Sequence, residues 1–131
     1  MRKSRLSIVF LLLTMMIFVF AGCQGKKEDA KKTDVKTHQV TIEVTTDNGK
    51  NKVAKENVKV EDGENLYDAM KENFKIEDDK GMITAINNNK QNKNENKYWM
   101  FDINKEPAMK GVKDIQLKDG DLITWDLHET K

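Results

Sequence analysis

The sequence predicts an α+β fold in which a mixed sheet of five or six strands wraps one short helix. Three observations predict it. Val40, Ile42 and Val44 alternate with Thr41, Glu43 and Thr45, the period of a half-buried strand. Leu66, Ala69, Met70 and Phe74 recur at helical spacing. Tyr98 to Ile103 is the most apolar segment beyond residue 22 and reads as a central strand.

The remaining elements follow in order. Asp47-Asn48-Gly49 is a strong turn signal, because these residues tolerate positive φ. A second strand is weakly patterned at Val53 and clearer at Val58 and Val60. Asp62-Gly63 punctuates before a helix of about three turns, with Asp62 or Glu64 near its positive end. Gly81 precedes a strand from Met82 to Ile86. Asn87 to Lys97 has no apolar side chain and reads as an exposed loop or a disordered excursion. Asn104 to Ala108 turns, with Pro107 barring strand continuation. Gly111 to Leu117 crosses over, Asp119-Gly120 turns, and Leu122 to Leu127 is the last strand. The expected core is Val44, Val60, Leu66, Met70, Phe74, Ile86, Trp99, Phe101 and Ile123.

Ahead of this domain the composition changes. Met1 to Arg5 carries three positive charges, and Leu6 to Phe20 carries none. That basic-then-apolar order is a secretory signal. This uncharged, mainly apolar run of 15 residues spans about 22 Å as helix at ~1.5 Å each, short of the ~30 Å hydrocarbon core. Phe20-Ala21-Gly22-Cys23 resembles the lipobox of bacterial lipoproteins, in which the cysteine is diacylated and becomes the new N-terminus. The resemblance implies a signal over residues 1–22 and a lipid anchor at Cys23. Residues 23–38 then read as the lipidated cysteine and a charged, disordered tether, with the domain over 39–131. The expected location is the outer face of a Gram-positive plasma membrane.

Composition excludes several function classes. Residues 23–131 hold 20 basic and 22 acidic side chains, a balance that argues against nucleic acid as a partner. They contain no serine and no arginine, so there is neither a serine nucleophile nor a guanidinium clamp. His38 and His128 are the only histidines, with no partner at ligand spacing, and read as surface residues. Glu77-Asp78-Asp79 and the Asp119/Asp121 pair lack the alternating ligands and closing glutamate of a calcium loop, so they read as solvated turns. The expectation is a protein that is not an enzyme and has no metal or cofactor.

The order Gly81-Met82-Ile83-Thr84-Ala85-Ile86-Asn87-Asn88, Tyr98-Trp99, Asn104, Gly111-Val112-Lys113-Asp114 and Lys118-Asp119-Gly120-Asp121 is similar to the C-terminal domain of transcobalamin and intrinsic factor, and to its stand-alone relatives in bacterial surface lipoproteins. The similarity covers residues 40–127. It implies a β-grasp-like sheet cradling one helix. It also implies a small-molecule-binding role, with a corrinoid (cobalamin-like) ligand captured for a membrane transporter. The residues it points to are Thr84, Asn87 and Asn88 at one strand end, and Tyr98 and Met100 on the next strand. Where that family usually has a glycine after the hairpin asparagine, this chain has Lys105, which must accept a positive φ or change the turn. A protein-interaction or adhesion module at the cell surface is the competing reading, since a sheet with one open face and an edge strand also suits a protein partner.

The lipid anchor has a direct test. Metabolic labelling with a palmitate analogue is expected to mark the chain, and Cys23→Ala to abolish the label; label that persists in the variant contradicts anchoring at this cysteine.

Overall fold

In the computed structural model of the chain, residues 34–131 are described; the expected signal, Cys23 and most of the expected tether lie outside the described residues. β1 (Thr37–Thr46) and β2 (Asn51–Glu61) form the first hairpin. β1 begins two residues before the expected Gln39, because His38 pairs with Val60 in register and its ring bonds the Asp62 carboxylate at 2.7 Å. Asp47, Asn48 and Gly49 turn the chain with φ of 56°, 60° and 76°, as their residue types allow. α1 (Leu66–Asn73) is shorter than expected, eight residues or about 12 Å. Asn65, rather than Asp62 or Glu64, caps it: its side chain accepts from the Asp68 N–H and donates to the Asp68 carboxylate.

Next come β3 (Ile76–Asp79), β4 (Met82–Ile86) and β5 (Asn89–Lys90), which form a three-stranded antiparallel sheet. β3 escapes a pattern reading, since Ile76-Glu77-Asp78-Asp79 has a single strand-forming side chain. The supposed solvated turn at 77–79 is therefore a strand, held by pairing with β4. The polar stretch 87–97 is likewise structured rather than an open loop. It contains β5, a 3₁₀ turn at Lys93–Glu95 and a bridge between Asn92 and Lys97.

β6 (Lys97–Ile103), β7 (Glu106–Pro107) and β8 (Leu122–Glu129) complete the larger sheet, in the order β2-β1-β8-β6-β7. β1 and β8, the first and last strands, lie side by side and parallel, from Thr41 opposite Leu122 to Thr46 opposite Leu127. β8 is the middle strand, and β1 and β6 flank it, each one place in from an edge. Pro107 sits in a two-residue edge strand opposite Asp102, where its missing N–H costs nothing. The β6–β7 turn is made by Asn104 and Lys105 at φ of 53° and 69°, so the lysine does accept the positive φ. The neighbouring Asn104 holds the turn: its side chain accepts from the Leu122 N–H and donates to Asp121.

One face of the larger sheet carries the core. Val40, Ile42 and Val44 of β1, Val58 and Val60 of β2, and Ile123, Trp125 and Leu127 of β8 all point to it. α1 covers it through Leu66, Ala69 and Met70, and the smaller sheet through Ile83 and Ile86. Every expected core residue is buried except Phe101, which is half-buried against the cluster. The arrangement is the expected α+β class, divided into two sheets. No helix among the described residues is long and apolar enough to cross a membrane.

Leu66 is fully buried at the start of α1, and its N–H donates to the Ile115 carbonyl. Leu66→Asp forfeits the roughly 2–5 kcal/mol of a large-to-small core change and buries an unpaired carboxylate as well. We expect circular dichroism to show no cooperative melting transition for this variant; melting close to that of the unaltered chain contradicts the packing.

Candidate functional site

The side chains expected to act together are separated by the larger sheet. Trp99 faces the core side, where its indole N–H donates to the Asn89 carbonyl of β5 at 3.1 Å. By strand alternation Tyr98 and Met100 face the opposite side, and Met100 is exposed there. Thr84, Asn87 and Asn88 belong to the smaller sheet, on the Trp99 side. Several of their polar groups are engaged within the fold. The Thr84 carbonyl accepts from the Gln91 N–H. Asn87 exchanges two hydrogen bonds with the Lys75 backbone, and Asn88 accepts from the Lys75 ammonium at 2.9 Å. These asparagines shape the β4–β5 turn, both with positive φ.

The open face is dominated by Asp126. One of its oxygens accepts from the Thr45 hydroxyl at 2.6 Å and the Gly49 N–H at 2.9 Å. The other takes the Asn48 N–H at 3.0 Å and lies 2.7 Å from His128 Nδ1. Burial pushes this carboxyl up, but the bonds from Thr45, Gly49, His128 and Asn48 outweigh it and hold it below the ordinary value of 3.8. Asp126 therefore staples the β1–β2 turn to the last strand. Asp119 and Asp121 do related work, accepting from the Gln39 and Lys118 backbone N–H groups.

Besides an open, polar hollow of about 480 Å³ beside Gln39, Asn57 and Asp119, three concavities among the described residues bear on function. One, of about 660 Å³, is walled by Glu61, Asp62, Glu64, Asp68 and Glu72. Among the described residues, no three His, Cys, Asp or Glu side chains converge as metal ligands. A second, of about 780 Å³, is polar and open beside Lys110 and Lys118. The third, about 460 Å³, is smaller but mainly apolar, and it has the character of a ligand site.

This groove is floored by Trp99 and Phe101 of β6 and Trp125 of β8. Phe101 stacks on Trp125 with centroids 4.5 Å apart, and Trp99 meets Trp125 edge to face at 6.4 Å. Gly81 and Met82 form one rim, with Met82 largely exposed; Val112 and Lys113 form the other. Lys113 crosses between the rims. A Cβ on Gly81 would lie 2.5 Å from its Cε, so the lysine stem occupies the space left by the glycine. Its ammonium rests 4.7 Å from the centre of the Tyr67 ring. Tyr67 in turn donates to Asp78, whose other oxygen accepts from the Gly81 N–H at 2.8 Å. That N–H, the Tyr67 hydroxyl and the nearby Lys113 hold Asp78 below the usual carboxylate range, while the bond to Asp78 pushes Tyr67 up.

One residue that lines the groove carries an unsatisfied donor. The Trp125 indole N–H is buried without an acceptor, a state that costs on the order of 1–3 kcal/mol. Met82, Lys113 and Trp125 were not among the expected site residues; Trp99 and Phe101 were expected in the core. One signal does point to them. Trp99, Phe101 and Trp125 project to the same face, and a single short helix cannot cover three large rings together with the rest of that face.

The comparisons agree with this architecture. The family described as "Domain of unknown function (DUF4430)" matches residues 63–129, and the chain belongs to it. No curated protein sequence matches. Seventeen chains of solved structure do. One is a protein from Ruminococcus gnavus provisionally described as metal binding, 14% identical with a TM-score of 0.56; the match covers 72% of this chain and 99% of that one. Another is haptocorrin in complex with Cbi, 20% identical with a TM-score of 0.57 over 71% of this chain. That match spans 26% of haptocorrin's length. The fold is thus transcobalamin-like.

Asp126 gives a pH prediction. A carboxyl with a depressed pKa stabilises the fold fully above its unfolded value, and the stabilisation is lost as pH falls through the folded value. Stability should therefore fall as pH drops below about 4. Asp126→Asn should flatten that slope and cost about 1–3 kcal/mol at neutral pH. Urea unfolding from pH 2.5 to 7 checks both; an unchanged acid slope counts against the staple.

Proposed function

We propose that the chain is a non-enzymatic, surface-anchored binding domain that captures a small molecule with a broad apolar face, a corrinoid first among them. The observation that carries the reading is the groove floored by Trp99, Phe101 and Trp125, the mainly apolar one of the three concavities. Aromatic floors with few polar groups are what ligand sites use to hold flat, apolar frameworks. The fold likeness to haptocorrin, a protein solved with Cbi, supports a corrinoid as the ligand class. Its match to only 26% of that protein supports a partial site, engaging one side of the ligand. The absence of serine and arginine beyond residue 22 supports binding rather than catalysis. A lipid anchor at Cys23 would hold such a domain at the outer membrane face, beside a transporter that accepts the ligand.

A groove of about 460 Å³ encloses only part of a corrinoid. Micromolar or weaker affinity follows, about −8 kcal/mol at best. Calorimetric titration of the full chain with cobinamide and cobalamin is expected to give saturable heat. Phe101→Ala and Met82→Ala should each weaken binding several-fold, whereas Tyr98→Ala and Met100→Ala, on the opposite face, should leave it unchanged. Loss on the Tyr98 side alone moves the site to the open face. No heat at millimolar ligand, with the chain folded, removes corrinoid capture and favours a protein-interaction module.

A further inference from the structure

The chain has two tryptophans, and they differ in one respect. The Trp99 N–H is committed to the Asn89 carbonyl. The Trp125 N–H has no acceptor, although the residue is 2% exposed. A phenylalanine here would retain a ring to stack on Phe101 and leave no donor stranded. Buried donors without partners are costly and scarce, so one in the wall of a groove calls for a physical explanation. The nitrogen has almost no contact with solvent, so bulk water does not satisfy it. Trp125 lines the groove, so an occupant that displaces a neighbouring side chain can bring an acceptor to it.

We propose that Trp125 sets the specificity of the groove by donating its indole N–H to a hydrogen-bond acceptor carried on a flat apolar framework. The ligand class is therefore a planar ring system bearing a carbonyl, amide oxygen or ring nitrogen, rather than a plain hydrocarbon. Lys113 at the rim supplies a second donor, since its ammonium rests on the Tyr67 ring within reach of the solvent edge. The inference rests on the groove being the ligand site, and it adds the chemistry by which that site discriminates. A site built to hydrogen-bond its ligand rejects an analogue lacking the acceptor, because the donor is then left unpaired inside the complex.

The two indole N–H resonances of the ¹⁵N-labelled full chain report the outcome directly, assigned through Trp99→Phe and Trp125→Phe. The probes are 1-indanone, which carries a carbonyl, and indane, which does not. The expected result is that indanone moves the Trp125 N–H proton downfield and leaves the Trp99 proton in place. Indane should bind at least fivefold more weakly. Trp125→Phe should remove that preference without lowering the melting temperature. Equal binding of the two probes, or shifts at the Gly81 and Met82 amides with the Trp125 proton unmoved, overturns the proposal while leaving the groove as a binding site. Failure of both probes to shift any groove resonance overturns the groove itself, and this inference with it. The wild-type indole shift decides the question even if Trp125→Phe does not fold.

Discussion

The parallel pairing of β1 with β8 is the constraint on which the rest of the structure depends. It brings the start of the domain against its end, over Thr41–Thr46 and Leu122–Leu127. The chain between them is thereby closed into a loop, in which β2, β6 and β7 extend the sheet and the helix and smaller sheet pack on one face. The sole cysteine lies at position 23, so no disulfide assists within the domain. Closure rests on main-chain bonds, on the apolar rows of Val40, Ile42 and Val44 against Ile123, Trp125 and Leu127, and on polar staples at each end. At one end Asp119 accepts from the Gln39 N–H; at the other Asp126 accepts from the β1–β2 turn. A pairing this distant in sequence is costly in loop entropy, and such local anchors offset part of that cost.

The groove follows from the same constraint. The closed sheet has one buried face, and the cover consists of a two-turn helix, a small sheet and the crossing that carries Val112. These pieces meet above Val40, Ile42 and Val44 but leave a gap over Trp99, Phe101 and Trp125. Within it Phe101 is half-buried, while Trp99 and Trp125 are buried and form the floor. The opposite face is open, and polar side chains there, such as Thr45 and Asp126, bond one another.

Much of the fold was legible in the sequence because it is governed by local rules. Alternation placed β1, Gly81 and Gly120 marked the starts of β4 and β8, and helical spacing placed Leu66, Ala69 and Met70 on the inner face of α1. Positive-φ residue types placed the turn at 47–49. What was not legible depends on tertiary partners. β3 exists because β4 pairs with it, and the stretch 87–97 is structured because Trp99 and Thr130 bond its backbone at Asn89 and Asn96. The candidate site was the least legible part. Asn87 and Asn88 look like amides offered to a ligand, yet they serve the backbone turn they sit in. Trp125 looks like ordinary core, and only the missing acceptor distinguishes it from Trp99.

β1 also has a mechanical role. It is hydrogen-bonded on both sides, to β2 and to β8, and the polypeptide ahead of Thr37 leads straight into it. Tension applied from that side runs along the strand rather than across it. The bonds to both neighbours then bear the load together in shear, instead of opening one after another as a peeled edge strand would. A domain held from its N-terminal side while something tugs at its far end is thus gripped through its strongest direction.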